Sequence, residues 1–410
     1  MSTRVIIISI IWLMIDLYAF QAIKTISNNW GSTNKNILVW SYWVLDISLI
    51  LIISYLFVSG KAAKGPSQQF QLLFGLMILS LAPKLIMLPF LLVEDIGRGI
   101  IWISKTMANR KITYLPERRK IISQISLGIA AIPFLKLLHG ITFGKYNFKV
   151  HKVTLKFKDL PEAFDGFKIT QLSDIHSGSL DNKEAIEEAV ELANNQKSDI
   201  IVFTGDLVNN IASEMDPWIE TFKKLKAPMG QFSILGNHDY GDYIPWESED
   251  LKSKNLEEVK ATHDKIGFKL LLDENIQLKL GNDQINLLGV ENWGLKGFHK
   301  YGNLQKAKKG TNENEFNILL SHDPTHWEAQ ILPDPQKFHL TLSGHTHGMQ
   351  FGIEIPGFRW SPSQYIYKQW AGAYRKNGKF LYVNRGFGFL GYPGRVGIMP
   401  EITQITLKRG

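Results

Sequence analysis

Two regimes of hydrophobic patterning divide this chain. Residues 5–23, 37–58, 70–93 and 121–138 are apolar stretches, most of them near the ~20 residues that span a bilayer. They predict four membrane helices, the last being short enough to read also as an interfacial or core helix. After residue 150 the runs shorten and turn β-branched and aromatic: Phe167–Leu172, Ile200–Phe203, Phe232–Leu235, Ile318–Leu320 and Phe338–Leu342. Such runs are the mark of buried strands. An edge strand at Val153–Phe157 opens this half, and helices are expected at 182–195, where Asp181 can cap, and at 254–266. The pattern gives a transmembrane region over 1–145, with a basic linker at 94–120, and a separate α/β domain over 150–410.

Charge follows the same division. Of 46 Lys+Arg and 38 Asp+Glu, residues 1–150 hold 16 and 5, a net of +11, which leaves 30 and 33, a net of −3, for the rest. The basic balance belongs to the membrane part. A near-neutral domain lacks the basic patch that nucleic acid requires, so no specific nucleic-acid partner is expected, whereas the bilayer is. Arg98, Lys105, Arg110, Lys111, Arg118, Arg119 and Lys120 outnumber Lys61 and Lys64 of the preceding connector, so positive-inside counting puts the third connector in the cytoplasm and the second domain outside. Lys145, Lys149, Lys152 and Lys156 oppose that count. The complete absence of cysteine agrees with an exported domain. Asp16, Asp46 and Lys84 fall at membrane depth and read as helix–helix ion pairs, such as Asp46 with Lys84.

The candidate chemistry sits just after the strand-like runs. Asp174 and His176 form Asp-x-His, Gly205 and Asp206 form Gly-Asp, and Gly236 to Asp239 read Gly-Asn-His-Asp. Ser321-His322 and Gly344-His345-Thr346-His347 complete the set. In open α/β sheets, ligands gather beyond the carboxyl ends of strands, so these words converge on one crevice. Splitting a phosphate ester at neutral pH needs a strong nucleophile and neutralised oxygens, which two cations ~3.5–4 Å apart supply. Holding them that close calls for one shared carboxylate among imidazoles and an amide; Asp206 is the natural bridge. His139, His151, His263, His299, His326 and His339 read as satisfied core or surface residues, and Asp323 as a turn residue before Pro324.

These words, in this order, resemble the calcineurin-like metallophosphoesterase family, and in particular its membrane-anchored bacterial members. The resemblance covers roughly the last two-thirds of the chain. It implies a sandwich of two mixed β-sheets flanked by helices, here preceded by an all-α transmembrane region. Residue by residue it implies Asp174, His176 and His347 on one metal, Asn237, His322 and His345 on a second, and Asp206 bridging both. His238 then stabilises the phosphoryl charge or protonates the leaving oxygen, and Asp239 orients His238. Mn²⁺, Fe²⁺/Fe³⁺ and Zn²⁺ suit this mixed ligand set; Mg²⁺ alone, which prefers oxygen ligands, suits it badly.

The implied activity is hydrolysis of a phosphoester or pyrophosphate by a dimetal-bridging hydroxide. The membrane anchor points to a lipid or envelope substrate, and the resemblance offers a nucleotide-sugar lipid such as a UDP-2,3-diacylglucosamine-like pyrophosphate. A different class, a membrane scaffold whose metal-stabilised domain is catalytically silent, predicts metal content without turnover. Pro116 to Ile122, with Arg118 and Arg119, resembles a twin-arginine export signal as well as a simple helix anchor. Aromatic residues crowd 292–314 and 348–379, as a substrate groove or as ordinary sheet packing. Arg385 and Arg395, on glycine-rich turns, read either as phosphate grips or as surface arginines.

Overall fold

The computed structural model describes residues 2–60, 67–110, 116–295, 297–312 and 314–410. Lys61, Lys64 and Lys111, used in the charge count, lie outside the described residues. The described residues cluster into two compact units, 2–60 with 69–141, and 142–410 with Ser67 and Gln68.

The first unit is built from α1 (Ser2–Ile26), α2 (Ser32–Val58), α3 (Gln68–Met107) and α4 (Pro116–Thr142). All four are long and apolar enough to cross a membrane. Their polarity is inverted relative to a water-soluble bundle. Large side chains such as Ile8, Met14, Trp40, Leu51 and Val93 are exposed, while Asp16, Asp46, Lys84, Glu94 and Arg119 are buried. That distribution suits a hydrocarbon solvent and an inward-facing polar seam.

The seam has two knots. Lys84 Nζ lies 2.8 Å from Asp16 Oδ1 and 2.6 Å from Asp46 Oδ2, tying α3 to both α1 and α2. Ser80 hydrogen-bonds Lys84 at 2.8 Å and also reaches Asp46. The expected Asp46–Lys84 pair is thus part of a triad. In the second knot Arg119 of α4 meets Glu94 at 2.6 Å and Asp95 at 3.0 Å.

This second knot corrects two expectations. Residues 94–107 are not linker but the last turns of a 40-residue helix, which is about 60 Å long at ~1.5 Å per residue. Glu94, Asp95 and Arg98 are helical neighbours that pair with one another, so a charge-rich stretch remains helical. Arg119, meanwhile, is a buried partner of α3 rather than part of an exposed export signal. Arg98 and Arg119, both counted toward an outside domain, are thus paired with acidic residues of α3.

The second unit is a two-sheet sandwich. Its strands in chain order are β1 (Lys149–Phe157), β2 (Lys168–Leu172), β3 (Ile200–Phe203), β4 (Gln231–Ser233), β5 (Lys269–Leu270), β6 (Glu274–Leu280), β7 (Asp283–Gly289), β8 (Asn317–Leu320), β9 (Leu340–Ser343), β10 (Ile353–Ile355), β11 (Phe358–Trp360), β12 (Gly372–Lys376), β13 (Lys379–Val383) and β14 (Glu401–Arg409). One six-stranded sheet runs β1-β14-β2-β3-β4-β5, the other β12-β13-β9-β8-β7-β6, and β10-β11 forms a separate hairpin. Both large sheets are mixed, since β14 runs antiparallel to β2 and β7 antiparallel to β6 among otherwise parallel central pairs. Helices α5 (Lys183–Asn194), α6 (Ile219–Phe222), α7 (Glu249–Lys265) and α8 (Leu304–Ala307) lie outside them.

Side-chain alternation explains the layers. Successive strand residues point to opposite faces, so Ile200 and Val202 join Leu287, Ile318 and Leu340 in the core between sheets. Ile201 and Phe203 pack instead with Ile186, Val190 and Val259 of the covering helices. Parallel strands buried on both faces therefore appear as continuous apolar runs. The cap of α5 is Asn182, whose side chain accepts from the Ala185 amide at 3.1 Å. Asp181 is instead held by Tyr146 and Lys145, both at 2.6 Å.

The triad predicts a stability pattern. Lys84→Met strands two carboxylates inside the bundle and is expected to cost about 3–5 kcal/mol, read as a lower melting point of the detergent-solubilised chain. Adding Asp16→Asn and Asp46→Asn should recover most of the loss; equal melting of Lys84→Met and wild type would contradict the assignment.

Candidate metal centre

Each ligand word follows a strand of the sandwich. Asp174 and His176 come after β2, Asp206 after β3, Asn237 and His238 after β4, His322 after β8, and His345 and His347 after β9. Five of these residues turn the chain through left-handed backbone: Asp174 at φ 53°, His176 at 48°, Asp206 at 62°, His345 at 71° and His347 at 50°. Each such residue costs on the order of 1–3 kcal/mol and persists only where its surroundings over-determine it. Here the loops hold one another: Asp174 N donates to Gly205 O at 2.8 Å, His176 N to Asp206 O at 3.1 Å, and Gly344 N to His322 O at 3.0 Å. Gly236 and Gly344 serve close approach rather than unusual φ. A Cβ on Gly236 would strike the Asp206 carboxylate, and one on Gly344 would strike Ser173 and Asp174.

The loops bring two groups together, Asp174–His176–His347 and Asp206–His322–His345. In the first, His176 Nε2 and His347 Nε2 face each other at 3.0 Å, with Asp174 Oδ1 3.4 Å from His347 Nε2. In the second, His322 Nε2 and His345 Nδ1 are 3.3 Å apart, and Asn237 Oδ1 lies 3.1 Å and 2.9 Å from them. One atom joins the groups. Asp206 Oδ2 is 3.2 Å from His322 Nε2 and 3.5 Å from His176 Nε2.

Burial and charge set these groups up as ligands. Burial lowers His176 to about 3, depresses His345 and drives His347 far below the usual imidazole range, so their lone pairs are free of protons. Asp206 is held well below the carboxylate range, because His322, His238 and His176 outweigh its burial. Burial also opposes charge on His322, but Asp206 and Asp174 prevail and raise it to about 10. Its Nδ1 donates to the Thr204 carbonyl at 2.7 Å, which turns Nε2 toward the other ligands. Three proton-free imidazoles, a fourth on His322 that must give up its proton, an amide oxygen and carboxylates around one shared oxygen fit a pair of divalent cations.

The groups around the ligands revise several expectations. Asp239 does not orient His238. Its carboxylate accepts from the amides of Asp206, Leu207, Val208 and Gly236 at 2.8–3.2 Å, clamping the Asp206 turn. His238 is oriented by Asn209, whose carbonyl accepts from Nδ1 at 2.8 Å. Arg385 and Arg395 are neither phosphate grips nor surface residues. Arg385 pairs with Glu401 and Glu354, both at 2.5 Å, and Arg395 binds the Gly388 carbonyl with Nη2 3.2 Å from His347 Nδ1. Asp323 accepts from Thr325 as a turn residue, yet its other oxygen lies 3.6 Å from His345 Nε2. His326 and His339 are hydrogen-bonded, whereas His263 is buried with neither ring nitrogen paired among the described residues.

Tyr243 escaped the sequence reading, and Tyr367 was read only as one of the aromatic residues crowding 348–379. Tyr367 OH is 2.9 Å from His345 Nε2, and Tyr243 OH accepts from Asn237 Nδ2 at 2.8 Å. Tyr367 lies in the aromatic-rich stretch after the last motif, which was the only signal available. Phe298, from the other such stretch, packs edge-on against His345 at 4.7 Å.

Comparison with known proteins decides the lineage. Residues 167–349 match the family model for calcineurin-like phosphoesterases, and residues 3–145 match that for a probable calcineurin-like phosphoesterase transmembrane domain. The metallophosphoesterase YkuE of Bacillus subtilis (strain 168), itself uncharacterized, is 32% identical over 259 residues, 62% of this chain and 84% of the relative. The chain belongs to the calcineurin-like metallophosphoesterase family. A transmembrane protein with metallophosphoesterase domain from Danio rerio is 28% identical over 299 residues, 71% of this chain and 63% of that protein. The solved phosphopantetheinyl hydrolase of Mycobacterium tuberculosis is a distant likeness, at 12% identity and TM-score 0.33 over 54% of this chain and 89% of that one. This metallophosphoesterase thus joins a four-helix membrane domain to a domain whose family uses divalent metals.

The charge balance predicts proton release on metal loading. A cation that takes His322 Nε2 at pH 7 must displace its proton, and below pH 6 it must also displace one from Asp174, which burial raises to about 6. Apparent affinity for Mn²⁺ should therefore weaken as pH is lowered, by about tenfold per unit for each displaced proton. Titration calorimetry in buffers of different ionisation enthalpy measures this; binding heats independent of buffer would refute it.

Proposed function

We propose that this protein hydrolyses a phosphoester or pyrophosphate bond, in a substrate carried at or near a membrane, with two divalent cations held by Asp174, His176, His347, Asp206, Asn237, His322 and His345. The observation that supports this most is the reach of one oxygen, Asp206 Oδ2, to imidazoles of both ligand groups. When bound, two such cations neutralise the attacking and leaving oxygens of an in-line displacement and make water a nucleophile at neutral pH. Mn²⁺, iron and Zn²⁺ all suit the ligand mixture.

The chain's own residues supply the rest. His238, like His345, is only partly buried, while the other ligands are buried, and its Nδ1 proton is committed to Asn209 O. Nε2 is then the ring's remaining polar atom, and when protonated it donates to a phosphoryl or leaving oxygen. Its ring stands 4.9 Å from that of His176 and 4.5 Å from that of Tyr243, which restricts its tilt. The Asp239 clamp holds the Asp206 turn, so the shared carboxylate keeps its place as charge develops. The membrane-spanning first unit favours substrates at the bilayer over free nucleic acid.

Full-length protein in detergent with Mn²⁺ should hydrolyse p-nitrophenyl phosphate or its bis ester, and Asp206→Ala should abolish turnover. His238→Ala should cost about 10²–10⁴-fold on alkyl phosphoesters but much less on p-nitrophenyl esters, whose leaving oxygen needs no proton. Wild-type inactivity with Mn²⁺, Fe²⁺ and Zn²⁺ across both substrate types would overturn the hydrolase reading in favour of a silent scaffold.

A further inference from the structure

The β10–β11 hairpin is amphipathic, and it faces the wrong way for a water-soluble domain. Its register pairs Ile353 with Trp360, Glu354 with Arg359, and Ile355 with Phe358. Paired residues share a face, so Ile353, Ile355, Phe358 and Trp360 form one face and Glu354 and Arg359 the other. A half-covered antiparallel sheet normally turns its apolar face to the core. Here the polar face is tied down: Glu354 pairs with Arg385 at 2.5 Å, and the Arg359 guanidinium lies over the Trp370 ring at 5.0 Å.

The apolar face is left outside. Ile353, Ile355 and Phe358 are 48%, 58% and 52% exposed, and Tyr365, which follows the hairpin and receives a hydrogen bond from Trp360 Nε1, is 76% exposed. None of these residues joins a hydrophobic cluster among the described residues. A contiguous apolar face on a folded domain marks an interaction surface.

We infer that residues 353–366 form a bilayer-docking element, which inserts its isoleucine and aromatic side chains at the lipid headgroup–acyl boundary. Three observations select lipid over another protein. The membrane is always at hand, because α4 ends at Thr142 and β1 begins at Lys149, a link that stretches at most about 25 Å. Trp and Tyr beside branched aliphatic residues are the side chains that settle at a membrane interface. At the hairpin's tip Pro356 and Gly357 are exposed, and a Cβ built on Gly357, whose φ is +79°, would meet nothing within 4 Å, so the tip is open to insertion.

The element also bears on the metal centre. In sequence it is bracketed by His347, a ligand, and Tyr367, whose hydroxyl touches His345. Docking of 353–366 therefore presents the surroundings of the last ligand motif to the membrane surface and favours phosphoesters borne by lipids. That consequence rests on the proposed hydrolytic function, whereas the docking itself does not.

The chain contains no cysteine, so single labels can be placed on the full-length protein. Ile355→Cys and Phe358→Cys, with Lys254→Cys on exposed α7 as reference, are labelled with an environment-sensitive nitrobenzoxadiazole dye. Each is reconstituted into phosphatidylcholine–phosphatidylglycerol vesicles, with or without doxyl-labelled lipid. The labels at 355 and 358 should be blue-shifted and quenched at least twofold by doxyl lipid, and the label at 254 should be neither. Water-like emission at 355 and 358 would overturn the inference. So would a blue shift without lipid quenching, because the hairpin would then be covered by protein, a second copy included.

Discussion

One carboxylate carries the organisation of the metallophosphoesterase domain. Asp206 Oδ2 reaches ring nitrogens from both ligand groups, the place of the single anion that the proposed pair of cations would share without excess charge. Everything around it keeps that oxygen in place. Asp239 gathers four backbone amides, one of them that of Asp206 itself. Gly236 is a glycine because the carboxylate occupies the space of its Cβ. Five left-handed non-glycine residues turn the strands abruptly into the crevice, and the strain they store is tolerated because neighbouring loops hydrogen-bond one another.

The membrane unit solves the opposite problem with the same kind of interaction. In the metallophosphoesterase domain the charged groups are concentrated where cations could balance them. In the bundle, Asp16 and Asp46 are balanced by Lys84, and Glu94 and Asp95 by Arg119. Leaving any one partner alone in a low-dielectric interior is costly, so these residues fix which helices meet and at what height. In lipid the apolar side chains themselves gain no hydrophobic driving force from meeting.

Much of this was legible in the sequence where function is local. A ligand word that directly follows a buried strand needs no knowledge of tertiary structure beyond the sheet, and the five words sit at the ends of β2, β3, β4, β8 and β9. What escaped depended on partners distant in the chain or on backbone atoms. Asp239 recognises amides, which leave no side-chain signature, and the His238 partner is a carbonyl. Arg385 and Arg395 resembled phosphate grips because sequence does not reveal that they are buried. Residues 94–107 resembled a linker because charges that pair within a helix and with Arg119 read, one by one, as solvated. The inverted hairpin was hidden by its length, since strands of three residues do not declare a register.

The shared carboxylate is tested most directly by electron paramagnetic resonance of the full-length protein loaded with Mn²⁺. Wild type should show the exchange-coupled spectrum of two neighbouring ions, and Asp206→Asn should lose the coupling. A wild-type spectrum of isolated, uncoupled Mn²⁺ at saturating metal would contradict the account.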